Sequence, residues 1–276
     1  MKSLLVREAL ATAEEAAVEA GAVLRRNLYA RKKVDAESAH DVKLALDVRC
    51  QRLIARRLAA RFPQIPLLGE EEGADKQEGP YRWVVDPIDG TVNYSRGIPH
   101  ACVAIALQRR AAGGEDAGAA YGGYQTLLGA VYEPFCEELW TAVRGGRARL
   151  NKRPVRVVPR PLEEAVVCLG FGKSVQALEY LAPALRELAE RVRKIRIMGS
   201  AALALTYVAS GRFDAYLEPG LQLWDIAAGG LIVQAAGGRF EARLRKDRAG
   251  YAVVAHNGAL AGVLDPLIRR LRRFAG

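Results

Sequence analysis

Two aspartates set three positions apart are where chemistry is first written in this sequence. In Trp83-Val-Val-Asp-Pro-Ile-Asp-Gly-Thr-Val-Asn-Tyr94 an apolar run ends in Asp86 and Asp89, with Pro87 between them and Gly90 behind. The proline is expected to break the strand that the apolar run predicts and to aim both carboxylates into one small space. Two like charges so close are costly unless a cation bridges them. Oxygen donors alone select a hard cation, Mg²⁺ or Mn²⁺, over zinc. Gly90-Thr91 is then expected to open a helix whose free N–H groups suit a phosphate. The same pattern also serves an Asx turn followed by a helix cap. Two further segments weigh against that simpler role. Leu67-Leu68-Gly69-Glu70-Glu71 sets another carboxylate pair at the end of an apolar run, and Trp224-Asp225 sets an acid at the entry to an apolar helix. An acid pinned beside a core tryptophan needs a reason, and N-capping is the plainest one.

Other chemistries find little support. Gly172-Lys173-Ser174 resembles the end of a nucleotide-binding loop, but the glycine that loop requires falls on Val167. His40, His100 and His256 share no ligand spacing, and no GxSxG elbow occurs. Cys50, Cys102, Cys136 and Cys168 form no CxxC pair, and their mostly apolar neighbours lead us to expect buried free thiols.

WVVDPIDGTVNY, LLGEE and LWDIAAGG resemble the three signatures of the inositol monophosphatase family. These are Mg²⁺-dependent, lithium-sensitive phosphomonoesterases, and some bacterial and archaeal members also hydrolyse fructose 1,6-bisphosphate. The likeness runs from the helix around Asp47 to the strand near Ala255. It implies an α/β layered sandwich, alternating helix and sheet layers, with the site between two lobes, 1–150 and 151–276, of one catalytic unit spanning 1–276. It implies that Glu70, Asp86 and the carbonyl of Ile88 hold a first ion, and that Asp86, Asp89 and Asp225 hold a second. Glu70 would also reach a third, weaker ion. Asp47 and Thr91 resemble the pair that orients and deprotonates the attacking water. Gly90 and Thr91 would bind the phosphate. Gly199, Ser200 and Ala201 would meet substrate hydroxyls, Glu218 a ring hydroxyl, and Arg196 would stand at the substrate mouth. Asp89 and Asp225 would also touch substrate. The implied reaction is direct in-line attack by a metal-activated water, so no side-chain nucleophile is required. The sequence departs from the family pattern at Asp41-Val42-Lys43-Leu44, which lacks the usual threonine, and at Ala36, where a lysine is common; Lys32 or Lys33 is the candidate replacement.

The elements that must position these residues follow from periodicity and punctuation. Helices are expected over 3–28, from about Lys43 to Arg61, over 174–191, 200–209 and 224–236, and in the basic tail from Gly258. Strands are expected over 65–68, 82–85, 101–108, 129–132, 138–142, 166–169, 195–198, 213–218 and 251–255. Residues 111–123, rich in Gly and Ala, read as a hairpin tip. Strands and helices alternate after residue 155, which is a mixed α and β pattern around a shared core.

Composition bounds the rest. Half of the 276 residues are apolar, enough for a sizeable core, and 26% are charged. Aromatic residues make up only 7%, which disfavours a stacking platform for single-stranded nucleic acid. Arg7, Glu8, Glu14 and Glu15 break the apolar start, so a cytoplasmic protein with no membrane span is expected. A net charge of +10 favours anionic partners, a phosphate ester first. The arginines at 49, 52, 56 and 57 read as a solvated helix face rather than a nucleic-acid reader. The resemblance adds a homodimer and Li⁺ as an inhibitor. It leaves open other small phosphates (phosphoadenosine phosphate or NADP), and also an accessory role in RNA or transcription complexes.

Overall fold

A computed structural model describes residues 3–31, 34–38, 41–71, 79–111, 121–171, 175–246, 250–262, 264, 265 and 269. Part of the tail helix, the possible replacements Lys32 and Lys33, His40, the Gly172–Ser174 run and most of the hairpin tip lie outside the described residues.

The layers run helix, sheet, helix, sheet, helix. Helices α1 (Ser3–Asn27) and α2 (Ala45–Arg61) cover one face of a seven-stranded sheet. A short antiparallel pair, β1 (Val34–Ser38) and β2 (Asp41–Leu44), joins them. The large sheet is built in order from β3 (Leu67–Gly69), β4 (Tyr81–Asp89), β5 (Cys102–Arg110), β6 (Tyr124–Glu133), β7 (Glu138–Val143), β8 (Arg149–Leu150) and β9 (Arg153–Pro154). Only β3 and β4 run parallel; the other neighbours are antiparallel. Between β4 and β5 lies the short helix α3 (Thr91–Ser95). A second sheet of five strands follows, in the order β11 (Lys194–Arg196), β10 (Val166–Leu169), β12 (Ala215–Leu221), β14 (Tyr251–His256), β13 (Arg239–Leu244). Helix α4 (Val175–Arg191) packs on its outer face, where Leu188 and Val192 meet Val167, Ala215 and Leu217.

Helices α5 (Ala201–Ala209) and α6 (Leu223–Ala235) fill the space between the sheets. That placement explains their sequences. A helix covered on all sides has no polar stripe, and nearly every residue of α5 is buried. The small residues of the AAGG run let α6 approach closely: a Cβ on Gly129 of β6 would stand 2.8 Å from the carbonyl oxygen of Ala228.

Three local differences from the sequence-based expectations have clear causes. Pro87 does not end its strand. Asp86 pairs with Ala104 and Asp89 with Cys102, so β4 carries one extra residue there, and the proline sits in a bulge, where its missing N–H is tolerated. Helix α2 begins at Ala45, not Lys43, because the Asp47 carboxylate accepts the Leu44 N–H at 2.7 Å and fixes the first turn. Strands β8 and β9, two residues each, are too short to show a period, whereas β13 alternates charged and apolar residues (RFEARL) and was legible but missed. Arg49, Arg52, Arg56 and Arg57 are exposed on the outer side of α2, with Arg57 3.2 Å from Glu19.

Candidate metal centre

The bulge in β4 turns Asp86 and Asp89 to the same side. Asp225, in the first turn of α6, meets them from the interior layer. Carboxylate oxygens of Asp86, Asp89 and Asp225 all lie within 4.8 Å of one another. Asp86 and Asp89 are buried and Asp225 is half-buried.

Each carboxylate is anchored. Asp86 Oδ1 accepts the Ile88 N–H at 3.0 Å. Asp225 Oδ2 accepts the Gln222 N–H at 2.7 Å. Asp89 receives the Ser200 hydroxyl and the Ala202 N–H at 2.7 Å on Oδ2, and the Ala201 N–H at 3.2 Å on Oδ1. The buried Cys102 thiol adds a weak 3.7 Å donation.

Burial pushes the Asp86 carboxyl well above the usual carboxylate range, and Glu70, Asp89 and Asp225 push it further. Burial raises Asp225 as well, with Asp89 next, against the Gln222 N–H. Asp89 is also raised by burial, opposed by its donors from Ser200, Ala202 and Ala201. Crowded acids that resist ionisation while offering only oxygen fit a hard divalent cation: its charge would offset the burial that raises all three and the repulsion that adds to it at Asp86 and Asp225.

Glu70 stands beside this cluster. Gly69 pairs with Val85, so the next residues, Glu70 and Asp86, are neighbours, and the Glu70 N–H reaches the Val85 carbonyl at 3.3 Å. Asp47 is buried at the third position of α2, and its charge contributes to raising Asp86. Thr91 Oγ1 donates to the Ile88 carbonyl at 2.8 Å. Gly90 precedes α3 with φ +96°, and a Cβ there would stand 2.9 Å from the His100 carbonyl oxygen and 3.3 Å from that of Gly199. Both the dihedral and the space call for glycine.

Gly199 is exposed, whereas Ser200 and Ala201 are buried with their donors turned to Asp89. Glu218 lies on β12 and is near enough to raise Asp225. Arg196 is exposed at the end of β11 with its guanidinium on the Ile195 carbonyl, and does not join the cluster.

Sequence reading missed three supporting residues. Gln51 Oε1 accepts the Glu71 N–H at 2.9 Å and so holds the turn that carries Glu70. Its signal was present, one helical turn beyond Asp47 on the same face. Asn93 Nδ2 donates to the Met198 carbonyl at 2.8 Å and to that of His100 at 3.0 Å, clipping the two sides of the site together. Tyr216 donates to Glu218 two positions away on the same strand face.

A layered α/β sandwich with a buried, oxygen-only carboxylate cluster at a bulged strand end defines the protein as a metal-dependent phosphomonoesterase. The chain belongs to the inositol monophosphatase family, whose sequence model matches residues 5–275. It is 40% identical over 249 residues to the inositol-1-monophosphatase SuhB of Mycobacterium tuberculosis strain H37Rv, covering 87% of this chain and 81% of that protein. It is 38% identical over 230 residues to the Nus factor SuhB of Xylella fastidiosa, covering 81% and 78%. The crystal structure of the extragenic suppressor protein suhB from Bartonella henselae has the same fold, with TM-score 0.78 and 32% identity over 94% of this chain and 96% of that one. The family and these relatives make it a phosphatase of the inositol phosphate type.

Proposed function

We propose that this chain is a Mg²⁺-dependent phosphatase of a sugar or polyol phosphate, with inositol 1-phosphate and fructose 1,6-bisphosphate as its candidate substrates. The observation that carries this reading is the convergence of Asp86, Asp89 and Asp225 within 4.8 Å at the β4 bulge. Glu70, Asp86 and the Ile88 carbonyl would hold one ion, and Asp86, Asp89 and Asp225 another; Mn²⁺ suits the same donors, and Li⁺ would compete. When bound, such ions lower the pKa of water and neutralise the transferring phosphoryl group.

The chain supplies position. Thr91 Oγ1 donates its own proton to the Ile88 carbonyl, which leaves its lone pairs to accept a hydrogen bond from the attacking water and orient it. Asp47, fixed by the Leu44 N–H, would be the carboxylate that takes the water's proton. The N–H groups of Gly90 and Thr91 would bind the phosphate. Ser200 and Ala201 would act by holding Asp89, with exposed Gly199 left to meet substrate. Glu218 would accept from a substrate hydroxyl, and Arg196 would pair with a second phosphate.

Both sheets would then serve one catalytic unit, 1–276, made of lobes 1–150 and 151–276. A homodimer belongs to the same reading, with exposed Val92, Ile98 and Ile197 as apolar residues that it would cover. Among the described residues no helix is long and apolar enough to cross a membrane; the cytoplasm is the location proposed with this activity.

The test is phosphate release with and without Mg²⁺ from inositol 1-phosphate, fructose 1,6-bisphosphate, phosphoadenosine phosphate and NADP. Mg²⁺-dependent release from either of the first two supports the proposal, and release from the last two alone would move the substrate class to nucleotides. A second reading rests on the relatives named Nus factor and on the exposed arginine row of α2: a part in a transcription complex. Salt-dependent RNA binding that survives in an Asp89→Asn variant would separate that role from catalysis.

A further inference from the structure

Glu218 is gripped from two sides. On one side Tyr216, buried in β12, donates its phenol proton to Glu218 Oε2 at 2.5 Å. Burial first, and then the Glu218 charge, push the phenol well above its ordinary value, so it stays a neutral donor. On the other side lies Gly170, just past β10, whose N–H reaches the Leu217 carbonyl at 3.0 Å. A Cβ on Gly170 would stand 1.8 Å from Glu218 Oε2 and 2.1 Å from its Cδ. Gly170 is not among the positive-φ residues, so what the site demands of it is space alone. The carboxylate held this way sits beside Asp225 and contributes to its raised pKa.

A carboxylate has about four acceptor positions, and the phenol fixes which oxygen is turned inward. We propose that Tyr216 and Gly170 are positioning residues that set Glu218 for a substrate hydroxyl, and so give this site its preference for polyol phosphates over phosphate esters without ring hydroxyls. The inference rests on the reading of Glu218 as the acceptor of a substrate hydroxyl. A hydrogen bond to a charged group is lost when its carboxylate swings away, and the loss falls only on substrates that use it.

The experiment compares kcat and KM of Tyr216→Phe and Gly170→Ala with the unaltered protein on inositol 1-phosphate and on p-nitrophenyl phosphate, an aryl ester with no ring hydroxyl. The expected result is a loss of about tenfold or more in kcat/KM toward inositol 1-phosphate, seen mainly in KM, with the aryl ester within about twofold. Equal losses on both substrates, or no loss on either, overturn the inference. If Gly170→Ala fails to fold, Tyr216→Phe removes a single oxygen and decides the matter alone. An unaltered protein inert toward both inositol 1-phosphate and fructose 1,6-bisphosphate overturns the functional reading and this inference with it, and one inert toward inositol 1-phosphate alone overturns this inference. An active one whose variants keep the same substrate ratio overturns only the inference.

Discussion

Ser200 and Asp89, 111 positions apart in sequence, are joined by a hydrogen bond from the Ser200 hydroxyl to Asp89 Oδ2. The same carboxylate accepts the first N–H groups of α5, Ala201 and Ala202. One side chain thus ends the bulged strand of the large sheet, caps a helix of the interior layer and completes the carboxylate cluster.

Asp89→Asn is therefore expected to fail twice. Turnover should fall by more than ~10³-fold, the scale for loss of a central electrostatic group. The cap should also weaken, because an amide presents one oxygen where the carboxylate presents two, and stability should drop by about 1 kcal/mol. Phosphate release and thermal unfolding read the two effects separately. Near-normal turnover would remove Asp89 from the site.

Gly90→Ala should be more damaging than its size suggests. A non-glycine residue at φ +96° costs about 1–2 kcal/mol, and the new methyl would press on the His100 carbonyl at 2.9 Å. A fall in unfolding free energy of about 2 kcal/mol or more is expected, with activity lost alongside. A variant as stable as the parent would show that the turn relaxes.

The cluster itself was legible in sequence because its residues are punctuation. Asp86, Pro87, Asp89 and Gly90 interrupt an apolar run, and Asp225 stands out against Leu223 and Ile226. The layers came from the family resemblance, and the apolar run of α5 and α6 fits the interior place that the structure gives them. The bulge was not, because proline looks the same at a strand end and inside a bulge until the partner register is known. Asn93 was not, since an amide that bonds a distant backbone leaves no trace in local spacing, and Gln51 was marked only by its place one helical turn beyond Asp47. Gly170 reveals its purpose only once Glu218 is seen against it.

Gln51→Ala should loosen the turn that carries Glu70 without touching the cluster. The Glu71 N–H would lose its acceptor, a deficit of about 1–3 kcal/mol if the group stays buried. The expected outcome is a higher Mg²⁺ concentration for half-maximal activity, with kcat at saturating Mg²⁺ changed far less. An unchanged Mg²⁺ requirement would mean that Glu70 needs no such support.

Half-buried His100 and buried His256 should govern stability in mild acid. Burial lowers the pKa of His100, and burial together with Arg239 lowers that of His256, both below the ordinary 6.5. Above 6.5 both states leave them neutral. Below it the unfolded chain binds protons that the folded one resists, so their contribution to stability is lost as pH falls through 6.5 toward the folded values. With Mg²⁺ saturating, so that the cluster acids stay ionised, urea midpoints should decline from pH 7.5 to 5.5, and His256→Gln should flatten part of that decline.

Metal binding should be coupled to proton release. Asp86 and Asp225 have their pKa values pushed well above the ordinary 3.8, first by burial and then by the neighbouring acids. In metal-free protein the folded state therefore holds protons that the unfolded chain has given up. Stability contributed by these acids is present at low pH and lost as pH rises through their raised values. A divalent cation reverses that trend, because it binds the carboxylate form and displaces the proton. Mg²⁺ affinity should rise between pH 5.5 and 8, and the thermal shift caused by Mg²⁺ should be larger at the upper end. Calorimetry in two buffers of different protonation enthalpy should show protons released on binding, fewer of them in Asp225→Asn. Affinity independent of pH, with identical heats in both buffers, would mean that the three carboxylates are already ionised in the metal-free protein and that burial does not set their chemistry.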